Sequence, residues 1–256
     1  MRNFEHKLII NLAIIIPTLN EEHFIGRLLD SIIKQSVAPE EIVVVDASSK
    51  DRTIAEIKKR QKKLSNLRFF KVPKNTVSRQ RNLGARQTTC PHLLFLDADM
   101  ELRERNSLEE YFTEVLNKQP DLAAAQNLPD SDTRKDLIYF KAENLLFKFL
   151  KHFWPVITAR NLYVTRKMFN KVGGFDEEIP VGEDLDLVQR IVKEGGKLIL
   201  LISVKLYTST RRVELEGRRK YALRMILFGL SILLQGHKKS KIKYEFGKFK
   251  KSTVKV

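Results

Sequence analysis

The chain has 256 residues, of which 43% are hydrophobic, so it is long enough to bury a core of its own and is not a mainly disordered protein. Its 47 Lys and Arg against 31 Asp and Glu give a formal charge of +16, which favours anionic partners such as phosphates, nucleic acid or lipid headgroups. The excess lies at the end of the chain, because residues 211–256 hold 14 Lys and Arg and only 3 acidic residues. The single cysteine, Cys90, excludes an intramolecular disulfide and favours a reducing compartment.

Two apolar segments bear on membrane association. Residues 1–17 combine a basic tip with apolar residues, but no small-residue cleavage site follows, so we predict a buried first strand rather than a secretory leader. The mainly apolar run at residues 225–234 is shorter than the roughly 20 residues that span a bilayer, and no transmembrane helix is expected. Basic residues on both sides of this run leave two roles open, a helix that lies on a membrane surface or one that packs on the core.

Strands and helices alternate in the first half of the chain. Short apolar runs rich in β-branched residues predict strands at residues 12–16 and 42–45, and further strands are predicted at 68–72 and 93–96. The segments between them predict helices at 24–33, 51–64 and 78–87. Asn20 is predicted to cap the first of these helices. This alternation implies a parallel sheet with right-handed crossovers.

The pattern weakens after a polar stretch at residues 127–136. Beyond it the sequence predicts a helix at 137–150, a strand at 161–164, a turn at Gly173 and Gly174, a helix from Glu183 and a strand at 198–206. We interpret the two parts as halves of one α/β domain, followed by a C-terminal amphipathic helix and a basic tail.

Polar residues follow three of the predicted strands, where open α/β sheets bind their ligands. They are Pro17, Thr18, Asn20 and Glu22 after the first strand, Asp46 after the second, and Asp97 and Asp99 after the fourth. Two carboxylates at a strand end can hold a divalent cation that neutralises a diphosphate. Two aspartates with this spacing also occur in solvated turns, but the position of Asp97 and Asp99 directly after a buried strand favours a nucleotide site.

A second group of charged residues comes from helix ends. Glu183 and Asp184 begin a helix with one apolar face, where a carboxylate beside a cleft suits a general base, although the helix dipole alone also stabilises acidic residues there. Arg79 and Arg81 open the third helix, and Arg211 and Arg212 follow the last strand. These arginines are placed to meet phosphate oxygens or, alternatively, to remain solvated charges.

Six segments, taken in order, resemble the family 2 inverting glycosyltransferases of the GT-A fold. They are IIIPTLNEE, EIVVVDASSKDRT, SRQRNLGARQ, LLFLDADM, VGGFDEE and GEDLDLVQR, and the match covers roughly residues 12–196. The resemblance implies a Rossmann-like, mainly parallel sheet flanked by helices. It divides the chain into a glycosyltransferase domain at 1–210, with a nucleotide-sugar half at 1–126 and an acceptor half at 127–210, and a basic amphipathic extension at 211–256.

The resemblance also assigns roles to the residues named above. Asp99 becomes the direct ligand of Mn²⁺ or Mg²⁺, with Asp97 nearer the nucleotide sugar, and Asp184 becomes the catalytic base beside Glu183. Residues 17–22 and Asp46 would line the base and ribose. Arg79, Arg211 and Arg212 are expected to face the phosphates because of their positions at the start of the third helix and after the last strand. Many relatives have an acidic residue where this chain has Ala47, so the donor base is left open, and residues 207–212 lack the late histidine ligand of many GT-A enzymes.

The implied reaction moves a sugar from a nucleotide-diphosphate sugar to a hydroxyl of a glycan or lipid-linked acceptor. Residues 137–150, 153–155 and 225–234 are candidates for an apolar acceptor wall, with core packing as the alternative. We expect a cytoplasmic enzyme, with peripheral binding to the anionic inner face of a membrane as an open extension. A nucleotidyltransferase is the alternative enzyme, although the first strand lacks a Gly-rich phosphate loop. A nucleic-acid-binding protein ranks lower and no nucleic-acid partner is expected, because aromatic residues are only scattered through the basic tail.

Overall fold

The computed structural model describes residues 7–74, 76–150, 154–157 and 160–237. These form a mixed α/β fold around an eight-stranded sheet. The strands are β1 Ile9–Thr18, β2 Ala38–Asp46, β3 Leu67–Lys71, β4 His92–Leu96, β5 Met100–Glu101, β6 Leu122–Pro129, β7 Asn161–Thr165 and β8 Leu198–Thr208. The helices are α1 Ile25–Ile33, α2 Thr53–Gln61, α3 Val77–Arg86, α4 Ser107–Lys118, α5 Arg134–Leu150, α6 Arg166–Lys171, α7 Glu183–Lys193, α8 Arg211–Glu216 and α9 Arg218–Gln235. The sheet order is β3-β2-β1-β4-β7-β6-β8-β5.

The first half of the sheet is parallel, as the sequence predicts. β1 pairs in parallel with β2 and β4, and β2 pairs in parallel with β3. Residues 12–16 are fully buried because helices cover both faces of a parallel sheet, which explains why β1 is a continuous apolar run rather than an alternating one. Gly84 lets α3 approach this strand closely, since a Cβ there would lie 2.5 Å from Cγ2 of Ile15.

The predicted role of Asn20 as a helix cap is wrong. Helix α1 begins at Ile25, and its N-cap residue, Phe24, makes no side-chain cap hydrogen bond. Asn20 instead has a φ of 55°, accepts a hydrogen bond at Oδ1 from the backbone N–H of Lys50, and donates its own N–H to Oγ of Ser49. Asn20 therefore joins the loop after β1 to the loop after β2, because an asparagine tolerates this left-handed conformation.

The second half of the sheet contains an antiparallel strand. β7 runs antiparallel to both of its neighbours, β4 and β6, while β6 is parallel to β8. Helix α4 and strands β5 and β6 lie in a region where the sequence predicted no elements. The expected polar interruption at 127–136 begins later, because β6 extends to Pro129. Buried Asn127 fits within the strand since the Asn161 amide donates to its Oδ1 at 2.8 Å.

The C-terminal helix is longer than its apolar run. α9 begins at Arg218, so the basic residues expected to precede the helix lie within its first two turns. The buried carboxylate of Asp136, near the start of α5, accepts a hydrogen bond from Nε of Arg218 at 2.7 Å and ties the two helices together. No helix among the residues that the structure describes combines the length and apolar composition needed to cross a membrane. The predicted basic tail at 238–256 lies outside the described residues.

Candidate active site

A cavity of about 660 Å³ opens beyond the carboxyl ends of β1 and β4. Its wall includes Asp97 and Asp99 from the turn after β4, and Glu183 and Asp184 from the first turn of α7. Pro17, Thr18, Arg211 and Arg212 also line it. Two acidic groups that are far apart in the sequence therefore share one hollow, as the placement of ligand sites in open α/β sheets leads one to expect.

Arg81 connects these two acidic groups. Its Nη2 donates to Oδ1 of Asp97 and its Nη1 donates to Oε1 of Glu183, both at 2.8 Å. Burial lowers the pKa of Arg81, but the neighbouring carboxylates raise it overall, so the guanidinium keeps its charge. Burial raises the pKa of Glu183 to about 7, with Asp184 adding to the shift and Arg81 opposing it. Arg81 thus holds the α7 end against the β4 turn.

A second ion cluster surrounds Asp99. Arg211 donates from Nη1 and Nη2 to the two carboxylate oxygens of Glu21, each at 2.7 Å, and its Nη2 lies 3.2 Å from Oδ2 of Asp99. The guanidinium also lies over the ring of Phe24. Burial raises the pKa of Glu21 to about 7, although its hydrogen bonds with Arg211 lower it. The predicted phosphate-facing Arg211 is therefore engaged with the carboxylates of the cavity.

Glu21 lies in the segment 17–22 that is predicted to line the donor site, but it is not among the residues that the sequence singles out. The segment PTLNEE offers two adjacent glutamates, and the prediction names Glu22. In the structure Glu21 lines the cavity, whereas Glu22 accepts a hydrogen bond from the backbone N–H of Arg52 and forms an ion pair with its side chain. Neither spacing nor composition distinguishes the two positions, because the choice depends on how the loop turns into α1.

The other predicted donor-site residues fall into two groups. Pro17 and Thr18 line the cavity, but Asp46 is fully buried and accepts hydrogen bonds from Thr18 Oγ1, Ser49 N–H and Ser49 Oγ. In this structure Asp46 stabilises the adjoining loops rather than lining the cavity. Arg79 is exposed and pairs with Glu177 at 3.1 Å, outside the cavity wall.

Asp184 owes its position to the turn before α7. Gly182 precedes the helix with a φ of 81°, a conformation that suits glycine. A Cβ at this position would also lie 2.7 Å from Cζ of Phe228 on α9, so the close approach of α9 requires glycine as well. Asp184 Oδ1 accepts a hydrogen bond from the N–H of Leu185 at 2.8 Å. A rigid helix start thus presents this carboxylate to the cavity.

The acidic pair after β4 is compatible with a divalent cation. Carboxylate oxygens are the hard ligands that Mn²⁺ and Mg²⁺ take, and Asp97 and Asp99 both face the cavity. Among the described residues no group of three or more His, Cys, Asp or Glu side chains is placed to hold a metal ion. Further ligands would have to come from a bound diphosphate or from water, as in sites that bind the cation together with a substrate phosphate.

The model of glycosyl transferase family 2 matches residues 13–172, which is more than half of the chain. The chain belongs to glycosyl transferase family 2. This glycosyltransferase is 23% identical over 205 residues to the O-antigen chain rhamnosyltransferase RfbN of Salmonella typhimurium, covering 73% of this chain and 62% of that protein. It is also 23% identical over 213 residues to the poly(ribitol-phosphate) beta-N-acetylglucosaminyltransferase TarS of Staphylococcus aureus, covering 78% of this chain and 35% of TarS. The glycosyltransferase therefore spans less than two thirds of either relative.

Solved structures confirm the predicted GT-A fold. The crystal structure of S. aureus TarS 1-349 superposes with a TM-score of 0.62 at 19% identity, covering 91% of this glycosyltransferase and 67% of that chain. The mannosyltransferase PcManGT from Pyrobaculum calidifontis, in complex with GDP-Man and Mn²⁺, has a TM-score of 0.66 at 20% identity. The match covers 84% of this chain and 60% of PcManGT. The chain therefore contains a domain of glycosyl transferase family 2, and this match favours the glycosyltransferase prediction over the nucleotidyltransferase alternative.

Proposed function

We propose that this glycosyltransferase moves a sugar from a nucleotide-diphosphate sugar to an acceptor hydroxyl with inversion, in a metal-dependent reaction in which Asp184 is the general base. One observation carries the proposal, namely that Asp97, Asp99 and Asp184 line the same cavity. Structural neighbours support the donor class, because a TarS structure is a complex with UDP-GlcNAc and the PcManGT structure is a complex with GDP-Man.

The donor would lie along the ends of β1 and β4. Pro17 and Thr18 would contact the base and ribose, and Arg212 would contact the diphosphate, as would Arg211 if its contacts with Glu21 and Asp99 rearrange when the donor binds. Asp99, together with Asp97, would hold Mn²⁺ or Mg²⁺, and the bound cation would supply positive charge that stabilises the leaving diphosphate. Asp46 would act indirectly, by holding the loops that carry Thr18 and Ser49. Arg79 would contact a phosphate, as predicted, only if its side chain left Glu177 when the donor binds.

Asp184 would act on the opposite side of the sugar. Its carboxylate takes the proton of the acceptor hydroxyl while the acceptor oxygen forms a bond to the anomeric carbon. The bond from that carbon to the diphosphate oxygen breaks in the same step, and the diphosphate leaves with the electron pair. A single displacement inverts the anomeric configuration. Glu183 is a positioning residue, because its ion pair with Arg81 fixes the start of α7.

The test compares two aspartates on the same helix. Asp184→Asn is expected to lower the rate of nucleoside diphosphate release about 10²- to 10⁴-fold, the usual contribution of a general base, while thermal stabilisation by the donor sugar is retained. Asp186→Asn is the matched control, since Asp186 lies one half-turn on and pairs with Arg190. UDP-, GDP-, dTDP- and CDP-sugars are tried with Mn²⁺ in the presence of glycan and lipid acceptors. Comparable turnover in Asp184→Asn would remove the base assignment.

A further inference from the structure

Exposed apolar side chains are concentrated on two helices. Ten of the fifteen exposed large hydrophobic residues among the described residues belong to α5 and α9. They are Leu137, Ile138, Leu145, Leu146 and Phe149 on α5, and Leu223, Met225, Ile226, Leu227 and Leu230 on α9. We call this surface the α5–α9 face. A concentration of exposed apolar residues on two helices is typical of a binding surface, since single exposed hydrophobic residues are the norm elsewhere.

The α5–α9 face continues into the catalytic cavity. Leu146, Met225, Ile226 and Leu230 line the cavity and are at the same time between 40% and 58% exposed, so they form its mouth. Deeper in, the wall is made by Trp154, Phe228 and Leu185, and it ends at Asp184 and the acidic turn after β4. An apolar channel therefore leads from the protein surface to the proposed base. Trp154 belongs to the segment 153–155 that the sequence analysis proposed as part of an acceptor wall.

The exposed charges on the two helices of this face are all of one sign. Every exposed charged residue on α5 and α9 is basic, namely Arg134, Lys135, Lys141, Lys148, Arg219 and Lys220. The two acidic residues of these helices are paired, Asp136 with Arg218 and Glu143 with Arg160. An apolar surface framed by positive charge matches hydrocarbon chains below a layer of phosphate headgroups.

We propose that the acceptor is carried on a long hydrocarbon chain, which lies in the groove between α5 and α9 while this face rests on an anionic membrane surface. The inference rests on the proposed function, because the acceptor hydroxyl must reach Asp184. A second copy of the protein is the competing occupant. The uniform positive charge disfavours that alternative, since a face-to-face dimer would place like charges opposite one another.

The first experiment measures binding of the whole protein to vesicles. Vesicles with 30% phosphatidylglycerol are expected to bind the protein at least tenfold better than phosphatidylcholine vesicles, and salt should weaken the binding. Leu223→Gln with Leu227→Gln should lower the affinity at least tenfold. Leu116→Gln with Ile202→Gln is the matched control, because these residues are comparably exposed but lie on α4 and β8. Equal losses in the two double variants would overturn the membrane contact.

The second experiment addresses the groove itself. Thermal stabilisation by n-alkyl phosphates of six, eight and ten carbons should show about tenfold tighter binding per two methylene groups, while inorganic phosphate shows no such effect. Ala222→Trp, which places a bulky ring in the groove wall, should abolish the dependence on chain length but leave stabilisation by the donor sugar unchanged. Binding that does not vary with chain length would contradict the proposal. The proposal would also be contradicted if the parent protein sedimented as a dimer and the variant Leu223→Gln with Leu227→Gln sedimented as a monomer. If the donor sugar did not raise the melting temperature of the parent protein, that result would count against the proposed function and not against the hydrocarbon groove.

Discussion

Asp97 and Glu183, which come from different halves of the chain, accept hydrogen bonds of 2.8 Å from the same guanidinium. Arg81 supplies both, and it is buried together with Glu183. A buried charge is costly without a partner, so the three groups compensate one another. The turn that carries the proposed metal ligands and the helix that carries the proposed base are therefore held in a fixed relation by one side chain.

Replacing Arg81 should damage both stability and activity. Arg81→Met leaves two carboxylates of the cavity wall without their shared cation, and loss of one partner of a buried ion pair costs about 3–5 kcal/mol. We expect the free energy of unfolding in urea to fall by that order. Arg81→Lys should recover part of the stability but not the activity, because a single ammonium does not reproduce the two-armed contact.

Arg79→Met is the matched control for this prediction. Arg79 opens the same helix, but its side chain is 58% exposed and forms only a surface pair with Glu177. A surface pair contributes about 0–1 kcal/mol, so the variant should unfold at nearly the same urea concentration as the parent. Equal losses in the two methionine variants would contradict the structural role assigned to Arg81.

Glu21 should make stability depend on pH in a defined direction. Because burial raises the pKa of Glu21 from 4.5 to about 7, the folded protein binds more protons than the unfolded chain between these values. Its contribution is therefore fully present below about pH 4.5 and is lost as the pH rises through about 7. Relative to Glu21→Gln, the parent protein should therefore lose free energy of unfolding as the pH rises from 5 to 7, and the difference between the two proteins should become constant above pH 8. A difference that is constant across this range would show that Glu21 titrates normally.

Asp99 should link donor binding to a divalent cation. We expect the donor sugar to raise the melting temperature more with Mn²⁺ than with EDTA, because a ligand that binds only the folded state stabilises it. Asp99→Asn should remove most of the Mn²⁺-dependent part of this increase. Glu101→Gln is the control, since Glu101 follows on β5 and pairs with Arg103. A Mn²⁺ effect of undiminished size in Asp99→Asn would assign the cation to other ligands.

The pattern of apolar residues predicted the strands correctly where both faces of the strand are buried. The centres of β1, β2 and β4, at residues 12–16, 42–45 and 93–96, are continuous apolar runs ended by polar turns, and their parallel pairing followed from the intervening helices. β6 was missed because its core, Leu122–Ala125 in sequence LAAA, has little of the β-branched and aromatic content by which strands are recognised. The antiparallel direction of β7 could not be predicted from the sequence either, because a short apolar strand has no feature that distinguishes parallel from antiparallel pairing.

The sequence by itself determined the family, the parallel half of the sheet and the acidic residues after β4 and at the start of α7, because each depends on residues that are close together in the chain. Only the tertiary structure decided that Glu21 rather than Glu22 faces the cavity, that Arg81 rather than Arg79 bridges its two sides, and that Asp46 supports a loop. These choices depend on which way a side chain turns once distant segments pack together, and burial and ion pairing across the fold set that direction.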